Sequence, residues 1–383
     1  MTPHPTRVAL RSGTRPRLIP ALVGAILVAS ASLVAACGST ATPLPTASGP
    51  GGSPSVGSPS PTATGTDTPD LSPTPVTTIT KLTVGLGYIP SVQFAPFYLA
   101  QKAGYYRDAG LNVTFQNGQD DTLINLVGQG AIDIGLADGT SLIPAVSQGI
   151  PVRYVTTIYA RFPNIVLAKA SSTIKTVADL KGKKIGTPGK YGSSWIMLQA
   201  ILQSAGLTTA DVDVQLYPDY GQAAALEQGA VDAATGFVNN EPVVLDKAGT
   251  KTTVMTVDDI VPLPGNGLIT SVDTLAKKHD ALAAFVDATL RAMDEITADP
   301  NVGLDASVAA VPDLGKDKAL QLAILNATIG LWASDYTTAN GSGAIDRAAW
   351  QQTVTFMAGL PGTPINGTPP TVDQLVDESL LAP

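Results

Sequence analysis

The segment Gln129-Gly130-Ala131-Ile132-Asp133 recurs later in the chain as Gln228-Gly229-Ala230-Val231-Asp232. Each copy follows a segment with helical spacing of apolar residues, so the glycine is expected to end a helix and the next residues to enter a buried strand. A coincidental match is the alternative. Because both copies fall at the same place in a strand-helix-strand pattern, the repeat predicts two similar lobes.

Strand-like and helix-like segments alternate on both sides of this repeat. Predicted strands lie at 82–89, 112–115, 132–136, 152–158, 184–187 and 212–216. Predicted helices lie at 93–103, 122–129, 140–148, 193–204 and 222–228. This alternation predicts right-handed crossovers and sheets covered by helices on both faces. The fold class is therefore α/β with two lobes, each a mostly parallel sheet with flanking helices.

The C-terminal third is predicted to be mostly helical, with helices at 280–298, 318–332 and 347–358. Asp299-Pro300 is expected to end the first of them. These segments hold too few strands for a third sheet, so the chain is expected to return and cover the first lobe. The predicted boundaries are 81–175 for the first part of lobe 1, 176–265 for lobe 2, and 266–383 for the return to lobe 1 with the C-terminal helices.

The N-terminal segment has the features of an export signal. A leader with arginines at 7, 11, 15 and 17 precedes an apolar stretch at 18–36, and Val34-Ala35-Ala36-Cys37 resembles a bacterial lipobox. We therefore expect a signal peptide at 1–36 and a lipid on Cys37 that anchors the chain to the outer face of the cell membrane. A single membrane-spanning anchor is the alternative. Residues 37–80, rich in Ser, Thr, Pro and Gly, are expected to form a disordered tether.

Composition excludes several classes of function. Cys37 is the single cysteine, so the exported domain has no disulfide, thiol nucleophile or cysteine-based metal site. The net charge of −8 disfavours nucleic acid, which requires a basic surface. We expect no metal and no cofactor, and a monomer.

Two α/β lobes joined by crossing segments place a cleft at the carboxyl ends of their strands. The loops expected to face this cleft supply the candidate ligand-binding residues Tyr88, Gln93, Phe94, Asp138, Thr140, Tyr159, Arg161, Tyr191, Ser193, Trp195, Asn239, Glu241 and Asn266. Several have a structural alternative: Asp138 or Thr140 as a helix cap, Arg161 as a salt bridge across the hinge, and Trp195 as a core anchor. Rings and amides with few charges favour a neutral, flat, hydrogen-bonding ligand.

The stretch from Leu82 to about Val244 resembles a known family. The segments that carry the resemblance are Gly87-Tyr-Ile-Pro90, Phe94-Ala-Pro-Phe-Tyr98, Gly104-Tyr-Tyr-Arg-Asp-Ala-Gly-Leu111, Asp133-Ile-Gly-Leu-Ala-Asp-Gly139, Asp179-Leu-Lys-Gly-Lys-Lys-Ile-Gly186 and Asn239-Asn-Glu-Pro242. They are similar to the sulfonate- and thiamine-precursor-type solute-binding proteins of ABC importers, which have the type II periplasmic-binding fold. The resemblance implies an exported binding protein that works with a permease and its ATPase.

The resemblance leaves the ligand open. The turn from Gly87 to Pro96 lacks the Trp and His typical of the thiamine-precursor group and looks more like the riboflavin-binding type. We therefore expect riboflavin, with a thiamine pyrimidine precursor next. The alternatives are a sulfonate, taurine or other oxoanion bound through Arg161, and a surface enzyme similar to the yeast-type pyrimidine synthases. Those enzymes use a histidine and a cysteine-rich loop, whereas this exported domain has His279 alone, so we expect no enzyme activity.

Overall fold

The computed structural model describes residues 79–257, 260, 262–363 and 365–381, which belong to one compact unit of the chain. The predicted signal peptide, Cys37 and nearly all of the predicted tether lie outside the described residues. Within the described part, the search for membrane spans finds no helix with the length and apolar character to cross a bilayer.

The strands form two five-stranded sheets of the same design. They are β1 (Thr80–Gly87), β2 (Leu111–Gly118), β3 (Ile134–Asp138), β4 (Val152–Thr157), β5 (Asn164–Lys169), β6 (Lys184–Thr187), β7 (Asp213–Leu216), β8 (Ala233–Phe237), β9 (Thr252–Thr256) and β10 (Asn266–Ser271). The first sheet has the order β2-β1-β3-β10-β4 and the second the order β7-β6-β8-β5-β9. The predicted two-lobed α/β fold is confirmed.

Helices cover both sheets. They are α1 (Ala95–Ala103), α2 (Tyr105–Asp108), α3 (Asp120–Gly128), α4 (Gly139–Ser147), α5 (Gly192–Ser204), α6 (Gln222–Gln228), α7 (Glu241–Lys247), α8 (Val272–Ala298), α9 (Pro300–Ala310), α10 (Lys318–Ile329), α11 (Asp335–Asn340), α12 (Arg347–Ala358) and α13 (Val372–Leu375). Asp299 ends α8 as predicted, but Pro300 begins another helix because proline suits a first helical position.

Each sheet contains one strand that arrives from the other lobe. β5 follows β4 directly and pairs antiparallel with β8 and β9, whereas β10 follows β9 and pairs antiparallel with β3 and β4. The first crossing therefore lies between Thr157 and Asn164, earlier than the expected boundary at residue 175. No helix separates β4 from β5, so the sequence pattern shows no change of lobe there.

The repeated segment makes the same contacts in both lobes. Its glycine has a positive φ, 73° in the first copy and 78° in the second. The Asp133 carboxylate accepts from Thr83 N at 2.8 Å, and the Asp232 carboxylate accepts from Lys184 N at 2.9 Å. The backbone N–H of Asp133 donates to the Thr83 carbonyl and that of Asp232 to the Lys184 carbonyl, both at 2.9 Å. The repeat thus ties the segment after a helix to β1 in the first lobe and to β6, which has the equivalent place in the sheet order, in the second.

The C-terminal return packs on the first lobe through an aromatic cluster. Phe285 of α8 is fully buried and stacks on Tyr106, with ring centroids 4.9 Å apart, and on Phe97, at 6.3 Å. The Tyr106 hydroxyl is 2.8 Å from the Thr289 hydroxyl, one helical turn further along α8. These contacts fix α8 against α1 and α2.

Candidate functional site

A pocket of about 910 Å³, open solvent at its mouth included, lies between the two lobes at the carboxyl ends of their strands. Of the predicted site residues, it is lined by Tyr88, Gln93, Phe94, Asp138, Tyr159, Tyr191, Ser193, Glu241 and Asn266. The other lining residues are Gly87, Leu136, Pro188, Gly192, Ser194, Tyr220, Gln222, Gly236, Phe237 and Asn240. Both lobes therefore contribute to one site.

Asp138, the last residue of β3, is a buried carboxyl group in this pocket. Its side chain does not cap α4, as one alternative held. It accepts hydrogen bonds from the Ser193 hydroxyl and the Asn266 amide instead. Burial raises the pKa of Asp138, and these two bonds oppose the rise only in part.

This carboxyl group is part of a polar chain that crosses the cleft. The Ser193 hydroxyl, at the start of α5, also accepts from the Asn164 amide at 2.9 Å. Asn164 and Asn266 are the first residues of β5 and β10, the two strands that change lobe. The chain Asn164–Ser193–Asp138–Asn266 therefore joins both lobes and both crossing segments at the pocket.

Glu241, the first residue of α7, is the second buried carboxyl group of the pocket. Its Oε2 accepts from Phe237 N at 2.7 Å, and burial is the main cause that raises its pKa. Gly236 makes room for it, because a Cβ there would lie 2.8 Å from the Glu241 carboxyl carbon. None of the lining residues is a lysine, arginine or histidine.

The pocket also presents buried acceptor oxygens without partners among the described residues. Gln222 donates to the Thr235 carbonyl at 3.2 Å, and Asn266 donates to Asp138, but Gln222 Oε1 and Asn266 Oδ1 accept no hydrogen bond. Buried polar atoms are ordinarily paired, so each such atom requires an explanation. Both oxygens have almost no exposed surface, so a donor of a ligand would reach them only after these side chains turn toward the pocket.

Aromatic rings form most of the remaining wall. They belong to Tyr88, Phe94, Tyr159, Tyr191, Tyr220 and Phe237. Tyr191 lies directly on the backbone of Gly189, where a Cβ would come within 2.0 Å of the Tyr191 ring. This glycine therefore sets the position of a ring that a flat ligand can stack on.

Two predicted site residues, Thr140 and Arg161, do not line the pocket. Thr140 is fully buried in the first turn of α4 and does not line the pocket. Arg161 is exposed in the first crossing segment, where its Nε donates to the Ala333 carbonyl at 3.2 Å and its side chain lines a different cavity. Arg161 therefore lies outside this pocket.

Trp195 and Asn239 also lie behind the pocket wall. Trp195 is half-buried against the core, and its ring faces the Lys190 Nζ at 5.8 Å, in line with the alternative of a core anchor. Asn239 is fully buried and donates to Gln93 Oε1 at 3.1 Å and to the Thr328 hydroxyl at 2.8 Å. Asn239 thus holds Gln93, a residue of the opposite lobe, in place.

Sequence reasoning missed part of the second lobe's contribution, including Tyr220, Gln222, Phe237 and Asn240. The loop after β7 was a detectable signal, because it follows a predicted strand of the second lobe and carries Tyr217 and Tyr220. Phe237 and Asn240 belong to the same loop as the predicted residues Asn239 and Glu241. Which of these side chains line the pocket depends on their direction, which the sequence does not show.

We expect Asp138→Asn to change the pH dependence of stability. In the wild type the raised pKa means that the folded state keeps the proton after the unfolded chain has lost it, so the free energy of unfolding falls as pH rises above about 4. The variant lacks this loss, so its stability relative to the wild type should increase with pH by up to about 1.4 kcal/mol per pH unit.

Urea unfolding of both proteins between pH 4 and pH 8 measures this difference. Asp287→Asn, at an exposed position of α8, controls for the removal of one carboxylate charge. Parallel stability curves for the wild type and Asp138→Asn would contradict the prediction.

Two α/β lobes that face one another across a pocket at their strand ends define the fold of the periplasmic binding proteins. The model of the family described as NMT1/THI5 like matches residues 91–302, and the chain belongs to this family. Riboflavin-binding protein RibY of Chloroflexus aurantiacus is 35% identical over 302 residues, which cover 77% of this chain and 86% of that protein. The 4-amino-5-hydroxymethyl-2-methylpyrimidine phosphate synthase of Aspergillus parasiticus is 25% identical over 252 residues, 61% of this chain and 72% of that enzyme.

Solved structures agree with this fold. The alkanesulfonate-binding protein SsuA from Xanthomonas axonopodis, bound to MOPS, matches with a TM-score of 0.60 at 17% identity, covering 78% of this chain and 98% of that one. The aliphatic sulphonate binding protein SsuA from Escherichia coli matches with a TM-score of 0.56 at 17% identity, covering 76% and 93%. The predicted resemblance to this type of solute-binding protein and its periplasmic-binding fold is confirmed.

Proposed function

We propose that this chain is the solute-binding subunit of an ABC importer and that its pocket captures riboflavin or a closely related uncharged, flat heteroaromatic compound. The observation that carries this proposal is an aromatic pocket rich in hydrogen-bond acceptors and without a basic lining residue. Gln222 Oε1 and Asn266 Oδ1, once these side chains turn toward the pocket, and the two buried carboxyl groups can accept from the ring N–H and the ribityl hydroxyls of a flavin. The similarity to RibY supports the same ligand.

A thiamine pyrimidine precursor is the second candidate, because its ring is flat and its amino group is a donor. A sulfonate or another oxoanion fits less well. Its charge would lie beside Asp138 and Glu241 with no lining cation to balance it, and burying an unpaired charge is costly. Arg161, the residue expected to bind such an anion, lines another cavity.

We propose binding rather than catalysis for this site. The pocket lining contains no histidine, and His279 is an exposed residue of α8 whose Nδ1 lies 3.3 Å from the neighbouring Asp280 carboxylate. The histidine that the resemblance implies for a synthase therefore has no counterpart among the described lining residues, and the acid–base groups beside a ligand would be the carboxyl groups of Asp138 and Glu241. Relatives named as synthases make a turnover assay with pyrimidine precursors the direct test of this alternative.

The remaining parts of the proposal concern the cell envelope. We propose export by the N-terminal signal and a lipid on Cys37, with residues 37–80 as the tether, so that a monomeric binding domain reaches its permease from the outer face of the membrane. The resemblance of Val34-Ala35-Ala36-Cys37 to a lipobox supports the anchor.

We expect the purified protein to quench riboflavin fluorescence on binding. In Tyr191→Ala the affinity for riboflavin should fall by about tenfold or more, because stacking of one base on an aromatic ring contributes roughly 1–3 kcal/mol. Calorimetric titration gives the affinity. Tyr336→Ala, which removes an exposed tyrosine outside the pocket, is the matched control. A heat signal with taurine or another sulfonate and none with riboflavin would overturn the proposed ligand.

A further inference from the structure

Two tyrosines have an unfavourable backbone conformation. Among the non-glycine residues that the structure describes, only Tyr88 and Tyr220 have a positive φ, 77° and 61°. A side chain with a Cβ rarely adopts this region, because it crowds the adjacent carbonyl group. Tyr88 follows β1 in the first lobe, and Tyr220 precedes α6 in the second. Neither lobe contains a second such residue in its described part.

The two strained residues contact each other across the cleft. Their ring centroids are 4.8 Å apart with an interplanar angle of 80°, an edge-to-face pair. Both rings line the pocket and are half-buried, whereas Ser193 and Gln222, deeper in the pocket, are only 2% exposed. Ile89, the residue after Tyr88, is 52% exposed. The pair therefore lies at the mouth of the pocket.

The backbone N–H of each tyrosine is held by a hydrogen bond within its own lobe. Tyr88 N donates to the Gly118 carbonyl of β2 at 2.7 Å, and Tyr220 N donates to the Tyr217 carbonyl at 2.9 Å. Each lobe thus keeps one tyrosine in the conformation that directs its ring toward the other lobe. Strained residues persist only where the surrounding structure fixes them, and they cluster at ligand clamps.

We propose that Tyr88 and Tyr220 form a gate whose ring contact closes the pocket mouth and controls the rate at which the ligand enters and leaves. The proposal rests on the solute-binding function proposed above. When the lobes separate, the ring contact must break, and when they close it re-forms over the bound molecule. Loss of one ring should therefore speed release.

Stopped-flow release of riboflavin tests this gate. Tyr220→Gly removes the ring and tolerates the positive φ, so the backbone is expected to keep its course, whereas Tyr220→Phe keeps the ring. We expect Tyr220→Gly to release riboflavin about two- to tenfold faster, the factor expected for loss of one aromatic pair. Tyr220→Phe keeps the ring contact, so its release rate should lie closer to that of the wild type than to that of Tyr220→Gly. Equal release rates for all three proteins would overturn the gate.

A second measurement separates the gate from the identity of the ligand. In the full chain with Cys37→Ser, Ser194→Cys places one thiol in the pocket lining, and its rate of reaction with a thiol reagent reports access without any ligand. Tyr220→Gly should accelerate labelling by a similar factor, and Tyr336→Ala should not. Unchanged labelling would overturn the gate, whereas faster labelling in a protein that does not bind riboflavin would overturn only the proposed ligand. Thermal melts of each variant verify that the labelled protein is folded.

Discussion

Gly265→Ala should lower the free energy of unfolding by about 3 kcal/mol, the upper end of the usual cost of overpacking. Gly265 lies in the second crossing segment, where a Cβ would come within 2.3 Å of the Tyr159 carbonyl oxygen and 2.8 Å of the Arg161 carbonyl oxygen. Both atoms belong to the backbone of the first crossing segment. They cannot move aside as the end of a flexible side chain can, so the two crossings must separate.

Chemical unfolding followed by circular dichroism measures this loss. Gly118→Ala is the matched control, because a Cβ at the end of β2 meets no atom within 4 Å. Separation of the crossings should also weaken ligand binding, since Asn266 of the pocket is the next residue. Equal stability of the two variants would show that the crossing segments are not closely packed through Gly265.

Phe285→Ala should destabilise the chain by about 3–5 kcal/mol, as is usual when a buried phenylalanine is truncated to alanine. The ring is fully buried between Tyr106 and Phe97, so its loss leaves a cavity between α8 and the first lobe. Phe356→Ala removes a half-buried ring of α12 and should cost less. A Phe285→Ala protein as stable as Phe356→Ala would contradict the role of this cluster.

The sequence predicted the local elements of the fold better than their pairing. β1 and β6 were recognised because alternating or continuous apolar residues show a strand within a short window. β5 and β10 were not predicted, although β5 contains the apolar run Ile165–Ala168, and each pairs antiparallel with strands of its own sheet that lie far away in the sequence. Pairing of this kind leaves no local pattern, so mostly parallel sheets were expected and mixed sheets are found.

In the candidate site, too, local features were predictable from the sequence and contacts between distant segments were not. Asp138 and Tyr191 follow predicted strands, and the rule that ligands lie at strand ends placed both at the pocket. Arg161 follows β4 in the same segment as Tyr159, which lines the pocket, but the Arg161 side chain faces the C-terminal segment instead. Trp195 follows the same loop as Tyr191, but the turn of α5 directs its ring to the core. Position in a loop was predictable, whereas side-chain direction was not.

The polar chain Asn164–Ser193–Asp138–Asn266 has a consequence for how such a protein can diversify. The groups that would hydrogen-bond to the polar edge of a ligand also hold the first residues of β5 and β10, the two strands that follow the crossings between the lobes. A substitution that adapts the site to a new nutrient therefore also alters how readily the lobes part. Evolution toward another cargo at Asp138 or Asn266 would therefore need compensating changes in the crossings.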